Sequence, residues 1–398
     1  MKAQTKERLL DISPNVKSVI KLISKVRIKR INSYIIPQSD IKSGEENEAN
    51  KEAIVKKYLS QNWLGLKKTA KIADRVLSNA FDELKDQNTK KIKNDMLFCR
   101  LAYGFEPDEY LCFGFKDQSV VQRKEWISDL DRYRYIFAMN DIKAAQVFNN
   151  KARTYEMFGK YYGRQAISIK SKADYPAYKE FLKTHKKFVK KQVSEGMGRS
   201  VELVKTNEIS PKEYFDILLS NGEHILEELI LQDEVMSNLN ESSVNTIRCI
   251  TMLTRKGVVI PYTFLKVGRS GSFVDNGGAG GILAGINVDT GVIDTNGYDE
   301  FATEYIKHPD SGVTFNGYSF PKWEEMKKMC MNLAKKIPNV KCIGWDVTLS
   351  DKGWIIVEGN GMTQFIGPQI VYKRGIKKEV LDVLKNMDLI CDIPDVKK

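Results

Sequence analysis

The sequence predicts an α+β fold, with a mainly helical front and a sheet-rich half behind it. Three observations carry this. Apolar residues recur at helical spacing in the first hundred residues. From about residue 135 strand-like and helical stretches alternate. Two pairs of apolar runs, 245–253 with 258–267 and 342–350 with 354–360, are each joined by a short turn ending in glycine. The 398 residues are enough for two or three packed units, and 42% apolar with 29% charged residues is the balance of an ordinary globular chain.

Residues 13–31 form a basic amphipathic pattern: Val16, Val19, Ile20, Ile23 and Val26 fall at helical spacing, with Lys17, Lys21 and Lys25 beside them. Two readings stand: a helix packed on the domain with a solvated basic face, or a peripheral membrane contact. The polar stretch 38–52 reads as a loop. Helical periodicity resumes from about Lys51 to Leu101, and 104–115 (GFEPDEYLCFGF) is aromatic and turn-rich. In the second half, Ser210-Pro211-Lys212-Glu213 reads as a helix start with a serine cap, proline in the first turn and a capping box. Asn221-Gly222 ends that helix. Another helix spans about 321–337, with Trp323, Met326, Cys330, Leu333 and Ile337 on one face and Pro338 as its stop.

Composition narrows the function. A formal charge of +12 favours anionic partners: nucleotides, sugar acids, acidic lipid surfaces or nucleic acid. Nucleic-acid binding would call for aromatic residues interleaved with basic ones on a platform, and no such stretch stands out, so no nucleic-acid partner is expected. Six scattered cysteines without a CxxC pair, and three histidines, exclude a clustered zinc site and leave free thiols of a reducing compartment. Charged residues at the N-terminus with no long apolar run behind them predict neither a signal peptide nor a transmembrane helix, hence a cytoplasmic protein, with the inner membrane surface as an alternative place.

Two segments carry chemistry. FVKKQV (188–193), SEGMGRS (194–200) and VELVK (201–205) read as strand, loop and strand. Gly196 and Gly198 would let backbone N–H groups approach phosphates, with Lys190 supplying a cation. No GxxxxGK[ST] is present and no helix follows the glycines, so this is neither a Walker loop nor a dinucleotide fingerprint. At the far end, the turn at 351–353 brings Asp346 opposite a residue near Glu358, and Glu358 and Asn360 share one strand face. Two carboxylates and an amide on neighbouring strands suit Mg²⁺.

The order of these features resembles the ATP-grasp superfamily. From about 140 to 375 the chain is similar to the sugar-transfer-associated ATP-grasp group, related to alpha-L-glutamate ligase-like proteins. The segments that carry the resemblance are SSVNTIRCIT (242–251), FVDNGGAGGILAGINVDTG (273–291), HPDSGVTFNGYSFPKW (308–323) and GWDVTLSDKGWIIVEGNG (344–361). The resemblance implies two α+β lobes gripping ATP, behind a helical region at 1–134, with an N-lobe at 135–224 and a C-lobe at 225–398. It implies ATP and Mg²⁺ as cofactors. Lys151 and Lys190 match the ATP-contacting lysines, with Lys190 against Lys191 open by one place. Glu227, Glu228, Leu229 and Ile230 match the hinge that receives adenine. Asp346, Glu358 and Asn360 match the metal ligands, and Arg248 matches a basic residue at the γ-phosphate or acyl phosphate, the other reading being a salt-bridged strand arginine. Asp275, Asn276 and His308 are candidates for the substrate site.

The implied activity is ligation of a small-molecule or sugar-linked carboxylate to an amine-type acceptor through an acyl phosphate, in surface polysaccharide modification. A kinase on the same fold and a non-catalytic membrane- or nucleic-acid-associated adaptor are the alternatives.

Overall fold

A computed structural model describes residues 14–80, 88–194, 201–269, 271 and 280–396. The helical front holds α1 (Pro14–Asn32), α2 (Gln38–Glu46), α3 (Glu48–Ser60), α4 (Leu66–Asn79), α5 (Thr89–Tyr103), α6 (Pro107–Cys112) and α7 (Asp129–Met139). The expected loop at 38–52 is instead α2 and the start of α3. Its polar residues occupy exposed sides, while Ile41 and Gly44 bury inward and Asn47 caps α3 by accepting from the Asn50 N–H at 2.9 Å. Tertiary anchors complete it: Tyr58 and Tyr103 donate to Asp40 and Glu45, each at 2.6 Å.

Two antiparallel sheets follow. The smaller one orders its strands β1-β4-β2-β3, with β1 at Ala166–Ile169, β2 at Lys187–Gln192, β3 at Glu202–Lys205 and β4 at His224–Glu228. Side chains alternate across it. Ile169, Phe188, Val204 and Leu226 pack outward against Tyr178 and Phe181 of α9 (Tyr175–Thr184) and Phe215 and Leu218 of α10 (Pro211–Ser220). Ala166, Val193 and Ile225 face inward with Ala152 of α8 (Lys151–Phe158). The start of α10 follows the sequence reading except in its cap: Pro211 opens the helix, but the Ser210 side chain makes no capping hydrogen bond.

The larger sheet orders β11-β10-β5-β6-β7-β8-β9: β5 at Thr246–Thr254, β6 at Gly257–Val267, β7 at Ile282–Ile286, β8 at Ile293–Tyr298, β9 at Glu304–Tyr305, β10 at Cys342–Ser350 and β11 at Gly353–Asn360. Both expected hairpins form, closing at Thr254 opposite Gly257 and Ser350 opposite Gly353. Gly353 adopts φ +93°, a turn conformation that a residue with a Cβ rarely takes. One face packs Ile247, Cys249, Leu265, Trp345 and Val347 against α11 (Trp323–Lys335), which buries Trp323, Met326, Cys330 and Leu333 as its spacing predicts. On the other face the helical front meets the sheet: Phe105, Phe115 and Tyr135 share one core with Ile250, Phe264, α12 (Ile366–Tyr372) and α13 (Lys377–Lys385). The front is therefore packed onto the large lobe through a common core. The cysteines are free, and five of the six are buried.

Candidate active site

Three strands set one row of charge across the large sheet. Glu358 on β11 lies opposite Asp346 on β10, which lies opposite Arg248 on β5. Directly opposed residues share a face, so the three side chains meet on the side away from α11. Lys266, on β6, approaches from the diagonal position, its Nζ 3.2 Å from Asp346 Oδ2. Arg248 grips both Asp346 oxygens, through Nε to Oδ1 and through Nη2 to Oδ2 at 2.9 Å. Asp346 is almost fully buried. Burial pushes its carboxyl up, but Arg248 and Lys266 outweigh that and hold it well below the usual carboxylate range.

Glu358 behaves oppositely. Its crowded position in the cleft, and then the adjoining Asp346 carboxylate, raise its carboxyl above the ordinary glutamate value, although part of the side chain reaches solvent. Asn360 donates to Glu358 Oε1 at 3.2 Å, so the i, i+2 pair does point together. A bulge between Asp346 and Val347 pairs against Glu358 and Ile356, leaving Val357 as the extra residue that turns Glu358 toward the row. Gly344 keeps the floor open beside it: a Cβ there would collide with the Thr363 hydroxyl and touch the Arg248 side chain.

The small sheet carries the candidate lysines. Phe188 faces outward, so Lys190, two places on, is on that same helix-covered side, where it pairs with Glu202. Lys191 faces inward with Val193 and Ile225 and reaches Glu227 Oε2 at 3.0 Å. Lys151, at the first turn of α8, donates to the Gln192 carbonyl at 3.1 Å on the inward side. Of the two adjacent lysines, Lys191 is the one on the inward face of the strand.

Glu227 is also held by Arg164, a residue that no sequence pattern singled out. Arg164 Nε donates to Glu227 Oε2 at 2.8 Å, Nη1 to the Ile356 carbonyl at 2.8 Å and Nη2 to the Val357 carbonyl at 3.3 Å. One guanidinium thus ties β4 of the small sheet to the bulge of β11 in the large one. Burial pushes the Glu227 carboxyl up, yet Arg164 and Lys191 bring it down to about 2. Glu227 is a buried anchor between the lobes, not an open hydrogen-bonding group.

Glu228 accepts from the Gln165 N–H at 2.9 Å and from Lys352 at 3.3 Å. The strand expected through 230 ends at Glu228, and Leu229 and Ile230 leave the ladder to line a pocket of about 60 Å³ with Gly163, Ile355 and Lys352. His308 is fully buried. Its Nε2 lies 2.9 Å from the Gly268 carbonyl and its Nδ1 3.2 Å from the Ser311 N–H, which makes it a tie between two loops. Gly196, Gly198, Asp275 and Asn276 lie outside the described residues.

The family model described as sugar-transfer associated ATP-grasp matches residues 130–386. This chain belongs to that family. It has the α+β architecture expected of an ATP-grasp protein. A comparison with curated proteins finds no match. Among solved structures, D-alanine-D-alanine ligase from Coxiella burnetii shares 11% identity over 62% of this chain at TM-score 0.38, and this chain spans 58% of its length. N5-carboxyaminoimidazole synthetase from Staphylococcus aureus, complexed with ADP, shares 11% over 63% at TM-score 0.41, with 55% of its length spanned. VanG D-Ala:D-Ser ligase from Enterococcus faecalis shares 15% over 66% at TM-score 0.39, with 69% of its length spanned.

Proposed function

We propose that this ATP-grasp protein is an ATP-dependent ligase that activates a carboxylate and joins it to an amine-type acceptor, in the modification of a sugar or surface polysaccharide. The observation that carries the reading is the row Arg248–Asp346–Glu358 with Lys266 and Asn360, on a sheet that Arg164 ties to the lysine-bearing small sheet. The cellular role rests on the family description alone.

The donor set fits Mg²⁺. Two carboxylates on adjacent strands press together, and an amide stands beside them, all hard oxygen donors. Mg²⁺ bound there supplies charge neutralisation for the phosphates. The chain's own residues do the rest. Arg248 and Lys266 keep Asp346 ionised and stand where a transferring phosphoryl group needs positive charge. Lys151 and Lys191 lie on the cleft side of the small sheet, suited to the other phosphates. A substrate carboxylate oxygen attacks the γ-phosphorus and ADP leaves. The acceptor nitrogen then attacks the acyl carbon and sheds a proton, and inorganic phosphate departs. Leu229 and Ile230 are the proposed edge for the adenine base. The small sheet includes β4, so we place the lobe division after Glu228 and the end of the helical region near residue 134.

Product analysis with panels of uronic and amino acids tests the proposal. Release of ADP and inorganic phosphate only when carboxylate and amine are both present supports ligation. ADP release with phosphate retained on the substrate would make the protein a kinase, and nucleotide binding without turnover an adaptor.

A further inference from the structure

Among the described residues, fourteen large apolar side chains are strongly exposed, and five of them sit on α1: Val16, Val19, Leu22, Ile23 and Val26, between 45% and 62% exposed. The other nine are spread along the rest of the chain. Val16, Val19, Ile23 and Val26 recur at spacings of three, four and three, so they form one stripe along the helix, with Leu22 at its edge. This stripe is separate from the face that holds α1 in place, where Ser24 and Ile28 are buried and Arg27 sits over the Phe137 ring of α7, 5.4 Å from its centroid.

Lys17, Lys21, Lys25 and Lys29 recur every fourth residue and make a second row, which at its Lys29 end adjoins Leu22. With Arg27 and Arg30 the helix carries six cations and no acidic residue. Among the described residues none of the six is in an ion pair, whereas cations elsewhere in the front, such as Lys51, Lys57 and Arg123, are paired. Nineteen residues reach about 28 Å along the surface. No described helix is long and apolar enough to cross a membrane.

From this arrangement we infer that α1 is an interfacial anchor that lays its apolar stripe into an anionic lipid surface, with Lys25, Lys29 and Arg30, the cations nearest the stripe, against the headgroups. A solvated helix would not call for exposed valine, leucine and isoleucine combined with cations that are unpaired among the described residues. An in-plane amphipathic helix needs both, because apolar insertion and headgroup attraction act together. The inference is independent of the ligase reading, since it uses no residue of the cleft.

Flotation of the full chain with vesicles tests it. Expected is binding to phosphatidylcholine mixed with phosphatidylglycerol, weak binding to phosphatidylcholine alone, and loss at high salt. Lys25→Glu with Lys29→Glu should lower the anionic binding by about tenfold or more. Leu22→Ser with Val26→Ser should lower it comparably while keeping every charge. All four positions are exposed, and circular dichroism confirms that the variants stay folded. Equal binding to both vesicle types, no binding to either, or apolar variants that bind as well as wild type would overturn the inference. So would light scattering showing a dimer that Leu22→Ser dissociates, which would make the stripe a contact between copies of this chain.

Discussion

Arg248 and Asp346 stand directly opposite one another on two adjacent antiparallel strands, and the guanidinium closes on both carboxylate oxygens. The pair sits at the centre of the row that ends at Glu358, so it fixes where negative charge is tolerated in the cleft. Removing one partner strands the other in a buried place. Arg248→Met should therefore lower stability by about 3 kcal/mol, and Arg248→Met combined with Asp346→Leu should recover part of that loss. Urea unfolding of the two variants measures it.

Arg164 joins the sheets through Glu227 and the carbonyls of Ile356 and Val357. A lysine keeps the charge but cannot present the planar fork that reaches all three. Arg164→Lys should lower the unfolding free energy by about 2 kcal/mol, read as a lower denaturant midpoint with an unchanged slope.

Glu227 gives the acid limb of stability a definite sign. Its folded value, about 2, lies below the 4.5 of the free side chain. The stabilisation is fully present above 4.5 and is lost as pH falls through that window toward 2. Its size is roughly 3 kcal/mol. Glu227→Gln should be less stable than wild type at neutral pH, because Arg164 and Lys191 lose their partner. Its stability should also decline less steeply from pH 4.5 to 2 than that of wild type.

Lys190 and Lys191 occupy opposite faces of β2. Lys191→Ala should weaken nucleotide binding by about tenfold or more, a loss of about 1.4 kcal/mol or greater. Lys190→Ala, which removes only the outward pair with Glu202, should leave affinity within about twofold, under half a kcal/mol. The opposite ranking would place the phosphate lysine on the wrong side of the sheet.

These sites were unequally legible in the sequence. Glu358 and Asn360 could be set on one face from residue numbers alone, and the short turn brings Asp346 near them, but only the bulge at Val357 turns Glu358 to the face of Asp346, and no spacing foretells it. The choice between Lys190 and Lys191 could not be made from residue numbers, since a shift of one residue moves a strand side chain to the other face and only the packing of Phe188 decides which face is the cleft. Lys266 had a signal that went unused: it is a lone cation in the apolar run VVIPYTFLKV. Arg164 had none, because it precedes a short strand and acts through backbone carbonyls far away in sequence. In the front, α2 looked like a loop because its composition is polar and its few anchors, Ile41 and Gly44, find partners only in the folded core.

We propose that Glu358 and its neighbours hold Mg·ATP. Titration calorimetry of ATP with and without Mg²⁺ tests it most directly, on wild type and on Glu358→Gln, which keeps the size of the side chain and relieves its crowding against Asp346. Expected are Mg²⁺-dependent binding by wild type and a variant that melts no lower than wild type yet binds Mg·ATP about tenfold more weakly or worse. Wild type that binds no Mg·ATP, or a variant that binds it as tightly as wild type, would overturn the assignment.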